Sequence, residues 1–256
     1  MSETSPQTAR HLDDEVRRVI DGKTLEPLSA PEILSWAVEK FHPRLALSAS
    51  FGGPEGMVLL HLMQQVEPSS RVFVLDTGRL HQATYDLIDR IRDRFEVNVE
   101  VVFPRSEDVE EMVREKGMNL FYESLENRQL CCRLRKVEPM RRYLSGLDAY
   151  VSGLRREQNV TRADTAKVMI DDAAGGIVKI NPMADWTHDQ VWKYIRRHNV
   201  PVNRLHAEGY PSVGCAPCSR AIKDGEDPRA GRWWWEDPDT KECGIHISEE
   251  EGGSGI

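Results

Sequence analysis

The chain has 256 residues, with 42 acidic against 34 basic side chains and a net charge of −8. The length suits one large α/β domain with a continuous core, and the negative charge argues against a general nucleic-acid binder, which needs clustered positive charge. No run approaches the ~18 apolar residues that would span a bilayer. Met1 to Asp14 is polar, without a signal peptide's apolar core, so no membrane association and a cytoplasmic location are expected.

Residues 1–28 read as a polar N-terminal helical extension with an amphipathic stretch at Val16, Val19 and Ile20. Ser29-Ala-Pro-Glu32 is a capping-box signal, and Ile33, Leu34, Ala37 and Val38 follow at helical spacing. Leu45 to Ser48 is a buried strand, followed by a Gly/Pro loop from Ser50 to Gly56 and an apolar helix from Met57 to Gln65. Val72 to Leu75 is a second strand ending in Asp76-Thr77-Gly78. A helix over His81 to Phe95 and a third strand over Val97 to Phe103 come next. Glu107 to Lys116 forms a helix stopped by Gly117. The Cys131-Cys132 pair precedes or opens a basic helix reaching about Leu144, with Pro139 as a kink or interruption. Ala149 to Ser152 and Ile177 to Ile180 are later strands, and Thr187-x-x-Gln190 caps a helix that ends before Pro201. Strand–helix alternation with uninterrupted apolar strands predicts an α/β fold with a mainly parallel sheet flanked by helices. The body spans residues 29–236 and carries the nucleotide and cysteine sites. Residues 237–256 are expected to form a flexible C-terminal segment.

Charge is unevenly placed. Between Arg128 and Arg142 there are six basic residues and one acidic, and Arg155, Arg156 and Arg162 follow. A locally basic pocket on an acidic chain fits a small anion better than a polymer, and a solvated helix face is the competing reading. The loop Ser48 to Gly56, with Ser50, Gly52, Gly53 and Glu55, lies between a strand and a helix. Glycines there let successive N–H groups and the helix N-terminus face an anion. Taken alone, such a turn is as often structural as functional. Its position after the first buried strand of an open sheet favours function.

Five cysteines under reducing conditions argue for free or ligated thiols rather than disulfides. Four form two tight pairs, Cys131-Cys132 and Cys215-x-x-Cys218. Two neighbouring side chains reach a cluster several ångströms wide more easily than one small ion. The spacing therefore favours an iron–sulfur cluster over zinc while leaving both open. Cys243 stands apart in Lys241-Glu-Cys-Gly-Ile-His246, where two basic neighbours favour a thiolate and Gly244 frees the backbone.

Taken together these stretches resemble the assimilatory adenylyl-sulfate reductases of the phosphoadenylyl-sulfate reductase family, from about Ser48 to His246. The matching motifs are Ser50 to Glu55, Leu75-Asp-Thr-Gly-Arg-Leu80 with Thr84-Tyr85, and Cys131-Cys132 with Arg135-Lys136. They continue with Gly153-x-Arg155-Arg156-x-Gln158 and Arg162, then Leu205-His206 through Cys215-x-Pro217-Cys218. Gly231-Arg-Trp-Trp-Trp-Glu236 and Lys241-Glu-Cys-Gly-x-His246 complete the set. Gly52 and Gly53 depart from the serine that many relatives carry. The resemblance implies a fold like the adenine-nucleotide α-hydrolases and a [4Fe–4S] cluster on Cys131, Cys132, Cys215 and Cys218. It implies Cys243 as nucleophile, assisted by Lys136 and His246, and thioredoxin or a similar dithiol protein as donor. Adenosine 5′-phosphosulfate is the implied substrate, with Lys136, Arg162, Arg229 and Arg232 around the phosphosulfate. A reductase for the 3′-phosphorylated substrate, an ATP-using adenylyl-transfer relative and a non-enzymatic cluster protein are the alternatives, and a homo-oligomer is compatible with the sequence. His81 and His206 read as structural, the Trp233-Trp234-Trp235 run as packing, and Arg155 and Arg156 as either substrate ligands or internal ion pairs.

Overall fold

The computed structural model describes residues 13–159 and 162–237. Its centre is a six-stranded sheet in the order β3-β2-β1-β4-β6-β5. The strands are β1 (Leu45–Ser48), β2 (Arg71–Leu75), β3 (Val99–Val102), β4 (Ala149–Val151), β5 (Val168–Asp171) and β6 (Ile177–Ile180). All neighbours pair in parallel except β5, which runs antiparallel to β6. The mainly parallel sheet is as expected. β5 was not anticipated, because only its antiparallel pairing with β6 marks so short a run as a strand.

Each strand feeds two layers, as the alternation of a pleated strand requires. Leu45 and Leu47, Val72 and Val74, Ala149 and Val151, and Val178 and Ile180 enter the main core. That side is covered by α1 (Asp14–Asp21), α2 (Ala30–Phe41), α3 (Pro54–Val66), α4 (Gln82–Phe95) and α8 (His188–His198). Ala46, Phe73, Tyr150 and Ile177 face the opposite layer, where Met140 and Leu144 of α7 (Glu138–Leu144) cover them. Strands covered on both faces have no exposed side to mark with polar residues, so they read as continuous apolar runs. α3 is apolar nearly all round and buried from Pro54 to Leu60, as befits a helix in the middle of a core. Burying each leucine there contributes roughly 1.5–3 kcal/mol.

Both anticipated capping boxes form. Ser29 N–H donates to Glu32 Oε2 over 2.7 Å, and Thr187 N–H donates to Gln190 Oε1 over 2.7 Å. Val16 and Leu25 both lie in the main core, which ties α1 to the sheet.

Of the two expected placements of the cysteine pair, the structure has the first: Cys131 and Cys132 close α6 (Leu125–Cys132) and precede the basic stretch. The chain then makes a π-helical turn over Arg133–Val137 before α7. There Glu138 N–H reaches back to the Arg133 carbonyl, five residues away. Pro139 has no N–H to give and its ring crowds the preceding turn, so the wider turn lets the helix carry on past it. α5 (Ser106–Lys116) precedes this region and ends at Gly117, whose φ of +81° suits glycine.

Candidate active site

The strand order turns back between β1 and β4, where successive crossovers leave in opposite directions. Open α/β sheets bind ligands in the crevice beyond the strand ends at such a point. The glycine loop between β1 and α3 lies there, with α3 capped by Gly53 and started by Pro54. Ser50 is exposed. Gly52 is pressed against the segment leading to Cys215: a Cβ at position 52 would sit 2.6 Å from the Val213 carbonyl oxygen. That explains glycine where a serine would not fit.

Glu55 is placed differently from the expectation that it contacts substrate. Its Oε1 accepts from Arg155 Nε at 2.9 Å and from Gln158 Nε2 at 3.1 Å, and the residue is buried. The carboxylate is thus taken up inside the protein, and Gly153 leaves room for it: a Cβ at 153 would lie 2.8 Å from Glu55 Cβ. Arg155 and Arg156 resolve as internal ion pairs, Arg155 also with Glu157 at 2.9 Å and Arg156 with Glu26 at 2.7 Å. Arg162 Nη1 donates to Gln158 Oε1 at 2.7 Å, which places it beside this network.

The four paired cysteines come together. Cys131 and Cys132 from the end of α6, and Cys215 and Cys218 from a tight turn, share one buried apolar cluster with Phe121 and Trp233. They line a small cavity whose wall also carries Arg79, Arg128, Arg135 and Lys136. Two contacts bring the second pair to the end of β2. Ala216 N–H donates to the Arg79 carbonyl at 2.8 Å, and Thr77 Oγ1 lies 3.2 Å from Cys215 Sγ. The cavity therefore hangs off the C-terminal end of β2. Among the described residues, no three His, Cys, Asp or Glu side chains are gathered to hold a single metal ion.

Burial pushes the Cys131 thiol up, against Arg135, Lys136 and Arg79, which favour the thiolate. Burial, and then Cys215, push Cys218 up to about 12, against Lys136 and Arg232. Arg135 Nε and Trp233 Nε1 are buried donors here that meet no hydrogen-bond acceptor among the described residues.

Lys136 and Arg232 both face the Trp233 ring, at 6.0 and 4.6 Å from its centroid, so these two expected cations are brought together beside the cysteines. Arg232 is buried, donates to Ser212 Oγ at 3.3 Å and packs on Gly214 so closely that a Cβ there would collide with it. Arg229 is half-buried one turn earlier, its carbonyl accepting from Arg232 N–H at 2.8 Å. Cys243 and His246 lie outside the described residues. His206 Nδ1 donates to the Tyr210 carbonyl at 2.9 Å and stands edge-on to Trp192, and His81 stands edge-on to Tyr210. The tryptophan run divides: Trp233 is buried among the cysteines, Trp235 packs on Tyr122, and Trp234 is exposed.

Sequence reasoning gave no role to Arg79, Arg128 or Arg135. Arg128 carried a usable signal, since it precedes Cys131 by three and Cys132 by four positions on one helical face. Arg79 stands in the Leu75 to Leu80 motif, but only the fold brings it to the cavity.

The phosphoadenosine phosphosulfate reductase domain model matches residues 44–221, from the edge of β1 to just past the second cysteine pair. An adenosine 5′-phosphosulfate reductase from Burkholderia cepacia is 50% identical over 207 residues, 81% of this chain and 82% of that one. The phosphate complex of phosphoadenylyl-sulfate (PAPS) reductase from Candida auris aligns with a TM-score of 0.69 at 30% identity, over 84% of this chain and 100% of that one. FMN adenylyltransferase from Candida glabrata, bound to FMN and an ATP analogue, aligns with a TM-score of 0.55 over 96% of this chain and 84% of that one. At 17% identity that likeness is one of fold alone. The family match takes in the switch-point loop, the β2 end and all four clustered cysteines, and on that basis the chain belongs to the phosphoadenosine phosphosulfate reductase family.

Proposed function

We propose that this protein reduces adenosine 5′-phosphosulfate to sulfite and AMP, as an oxidoreductase of sulfate assimilation. The observation that carries the reading is the buried four-cysteine cavity walled by Arg79, Arg128, Arg135 and Lys136 near a switch-point anion loop. The half-identity to a named adenosine 5′-phosphosulfate reductase supports this substrate over the 3′-phosphorylated one.

The cavity's residues fit a [4Fe–4S] cluster. Four thiols distributed around a space suit a group with several metal corners, and the surrounding cations offset thiolate charge. The unpartnered Arg135 Nε and Trp233 Nε1 are donors suited to sulfur acceptors. Cys131, Cys132, Cys215 and Cys218 would hold the cluster, which would supply a fixed charge centre and tie the 215–218 turn to α6.

The chemistry needs one further thiol, and Cys243 supplies it. Its thiolate attacks the sulfonate sulfur, forming an S–S bond as the S–O bond to the phosphate breaks and its electron pair leaves with AMP. A donor thiolate then attacks Cys243 Sγ, and sulfite departs with the S–S electron pair. The donor's second thiol resolves the mixed disulfide, so a dithiol protein such as thioredoxin ends oxidised and Cys243 reduced. Lys136 and Arg232, with Arg162 and Arg229, stabilise charge developing on the phosphosulfate oxygens. His246 acts beside Cys243 by favouring its thiolate.

Incubation with adenosine 5′-phosphosulfate and no reductant tests this reading. One sulfonate should add to the peptide containing Cys243, and Cys243→Ser should bind substrate, keep its iron and not turn over. An adduct elsewhere, or an active serine variant, overturns the assignment.

A further inference from the structure

Phe51, in the glycine loop between β1 and α3, holds its backbone at a φ of +52° while its ring is wholly buried in the main core. Bulky residues keep this left-handed conformation only where their surroundings enforce it, and such outliers gather at ligand sites. Asn203 supplies part of that enforcement. The residue is 2% exposed, and its Nδ2 donates both to the Phe51 carbonyl at 3.1 Å and to Thr84 Oγ1 of α4 at 3.0 Å. Its Oδ1 accepts from Leu205 N–H at 3.1 Å, which opens the short turn Arg204–Glu208. Only one orientation of the amide serves all three, since a carbonyl must meet the NH2 and an N–H the oxygen. The Val213 carbonyl presses on Gly52 as well. Ala83, Leu205 and Val213 pack together as one small apolar cluster, so both contacts on the loop come from a single packed support.

A buried asparagine can serve packing alone, and the Leu205 and Thr84 bonds would be enough for that. The bond to Phe51 does something more specific. The Phe51–Gly52 peptide is trans and planar, so its C=O and N–H point in opposite directions and fixing one fixes the other. Gly52 has no Cβ to resist a turn of that peptide, and the conformation at Phe51 is one the chain would leave if released. We propose that Asn203 is a positioning residue: its carboxamide holds the Phe51–Gly52 peptide in the orientation in which the glycine loop receives the nucleotide's phosphate. A loop set beforehand loses less freedom on binding, and its N–H groups need not turn to meet the anion. The effect belongs to binding rather than to sulfur transfer, because Asn203 lies outside the residues that line the cysteine cavity. The inference rests on the proposed reading of this loop as the anion site for adenosine 5′-phosphosulfate.

The test uses anaerobic holoenzyme, with AMP affinity measured by calorimetry and kcat and KM by steady-state reduction of adenosine 5′-phosphosulfate. In Asn203→Ser the hydroxyl still caps the turn at Leu205 N–H but is too short to reach Phe51. Thr84→Val removes only the second bond of Nδ2 and leaves Phe51 held. Asn203→Ser should raise the AMP Kd and the KM at least ~10-fold, with kcat within about threefold and iron content unchanged. Thr84→Val should lower the urea midpoint yet leave Kd and KM within about twofold of wild type. Near-wild-type Kd and KM in Asn203→Ser overturn the proposal. An equal rise in Thr84→Val also overturns it, by making Asn203 a general support of the fold. A third readout needs no variant: in wild type, AMP should slow deuterium exchange in the peptide spanning residues 49–56. Unchanged exchange there with AMP bound overturns the loop as phosphate site, and Asn203 with it. Wild type that neither binds AMP nor reduces adenosine 5′-phosphosulfate overturns the underlying functional reading instead.

Discussion

Arg155 Nε donates to Glu55 Oε1 over 2.9 Å, with side chains only 5% and 11% exposed, so the carboxylate beside the glycine loop points into the protein. Removing it leaves a buried guanidinium with only Glu157 and the Trp186 carbonyl. Glu55→Ala should therefore lower stability by about 3 kcal/mol, the usual cost of breaking a buried pair from one side. Urea unfolding under anaerobic conditions measures it. Because Oε1 of the carboxylate is held by Arg155 and Gln158, the ratio of specificity constants for adenosine 5′-phosphosulfate and its 3′-phosphorylated form should not move. A changed ratio with stability intact would place Glu55 at the substrate after all.

Cys131, Cys132, Cys215 and Cys218 are not disulfide-bonded, are buried and share one cavity. Replacing any one by serine should lose iron, activity and much of the folded protein together, since cluster binding is coupled to ordering of the 215–218 turn. Iron and acid-labile sulfide should each approach about four per chain in wild type, the content of one cube. Zinc in their place, or about two irons, would refute the cluster assignment.

The parallel strands were legible because their residues are buried on both faces and so form apolar runs such as Leu45-Ala-Leu. The helix starts were legible because Ser29–Glu32 and Thr187–Gln190 cap within four residues of chain. Strand β5 was hidden because its pairing partner, not its own composition, makes it a strand. The cysteines stood out by their spacing, whereas their charged wall did not. Arg79 and Arg128 reach the cavity from separate elements, and no local pattern encodes that meeting. Glu55 and Arg155 are likewise a hundred positions apart.

Lys136 lines the cysteine cavity and shares the Trp233 ring with Arg232. A cation held in a water-poor site acts on charge that develops only in the transition state. Lys136→Ala and Arg232→Ala should each lower kcat/KM by at least ~100-fold, by analogy with losing one oxyanion donor. Iron content should stay unchanged in both. Near-normal kinetics with intact iron would make them supports of the cysteine cavity alone.

His206 should make the fold acid-sensitive. Burial holds its pKa below the ordinary 6.5, with His188 in the same direction and the Tyr210 carbonyl and Glu55 against it. His61, lowered by burial with His198 and Arg94, and His81, lowered by burial with Arg232, share the direction. The unfolded chain therefore takes up these protons at a higher pH than the folded one. Their contribution is fully present above about pH 6.5 and declines as pH falls toward the folded-state values. The urea midpoint should drop between about pH 7.5 and about pH 5.5, and His206→Gln should flatten part of that drop. An identical pH profile in the variant would remove His206 from the account.

The 3′-phosphorylated substrate brings about two further negative charges. Discrimination against it needs either a repelling group or the absence of cations where that phosphate would sit. Glu55 cannot supply the repulsion while its carboxylate is bound to Arg155, and Arg155 cannot act as a free cation for the same reason. Arg156 is likewise engaged, with Glu26. Arg155 and Arg156 are thus neutralised internally, which removes two of the cations that could have received the added phosphate. A preference for adenosine 5′-phosphosulfate of at least ~100-fold in kcat/KM is expected, equivalent to about 2.7 kcal/mol in transition-state binding. Arg155→Ala should not widen it, because that guanidinium already belongs to Glu55. Steady-state comparison of the two substrates with thioredoxin as donor decides the matter. Equal specificity constants, or preference for the 3′-phosphorylated compound, would overturn the substrate assignment and leave the Cys243 chemistry standing.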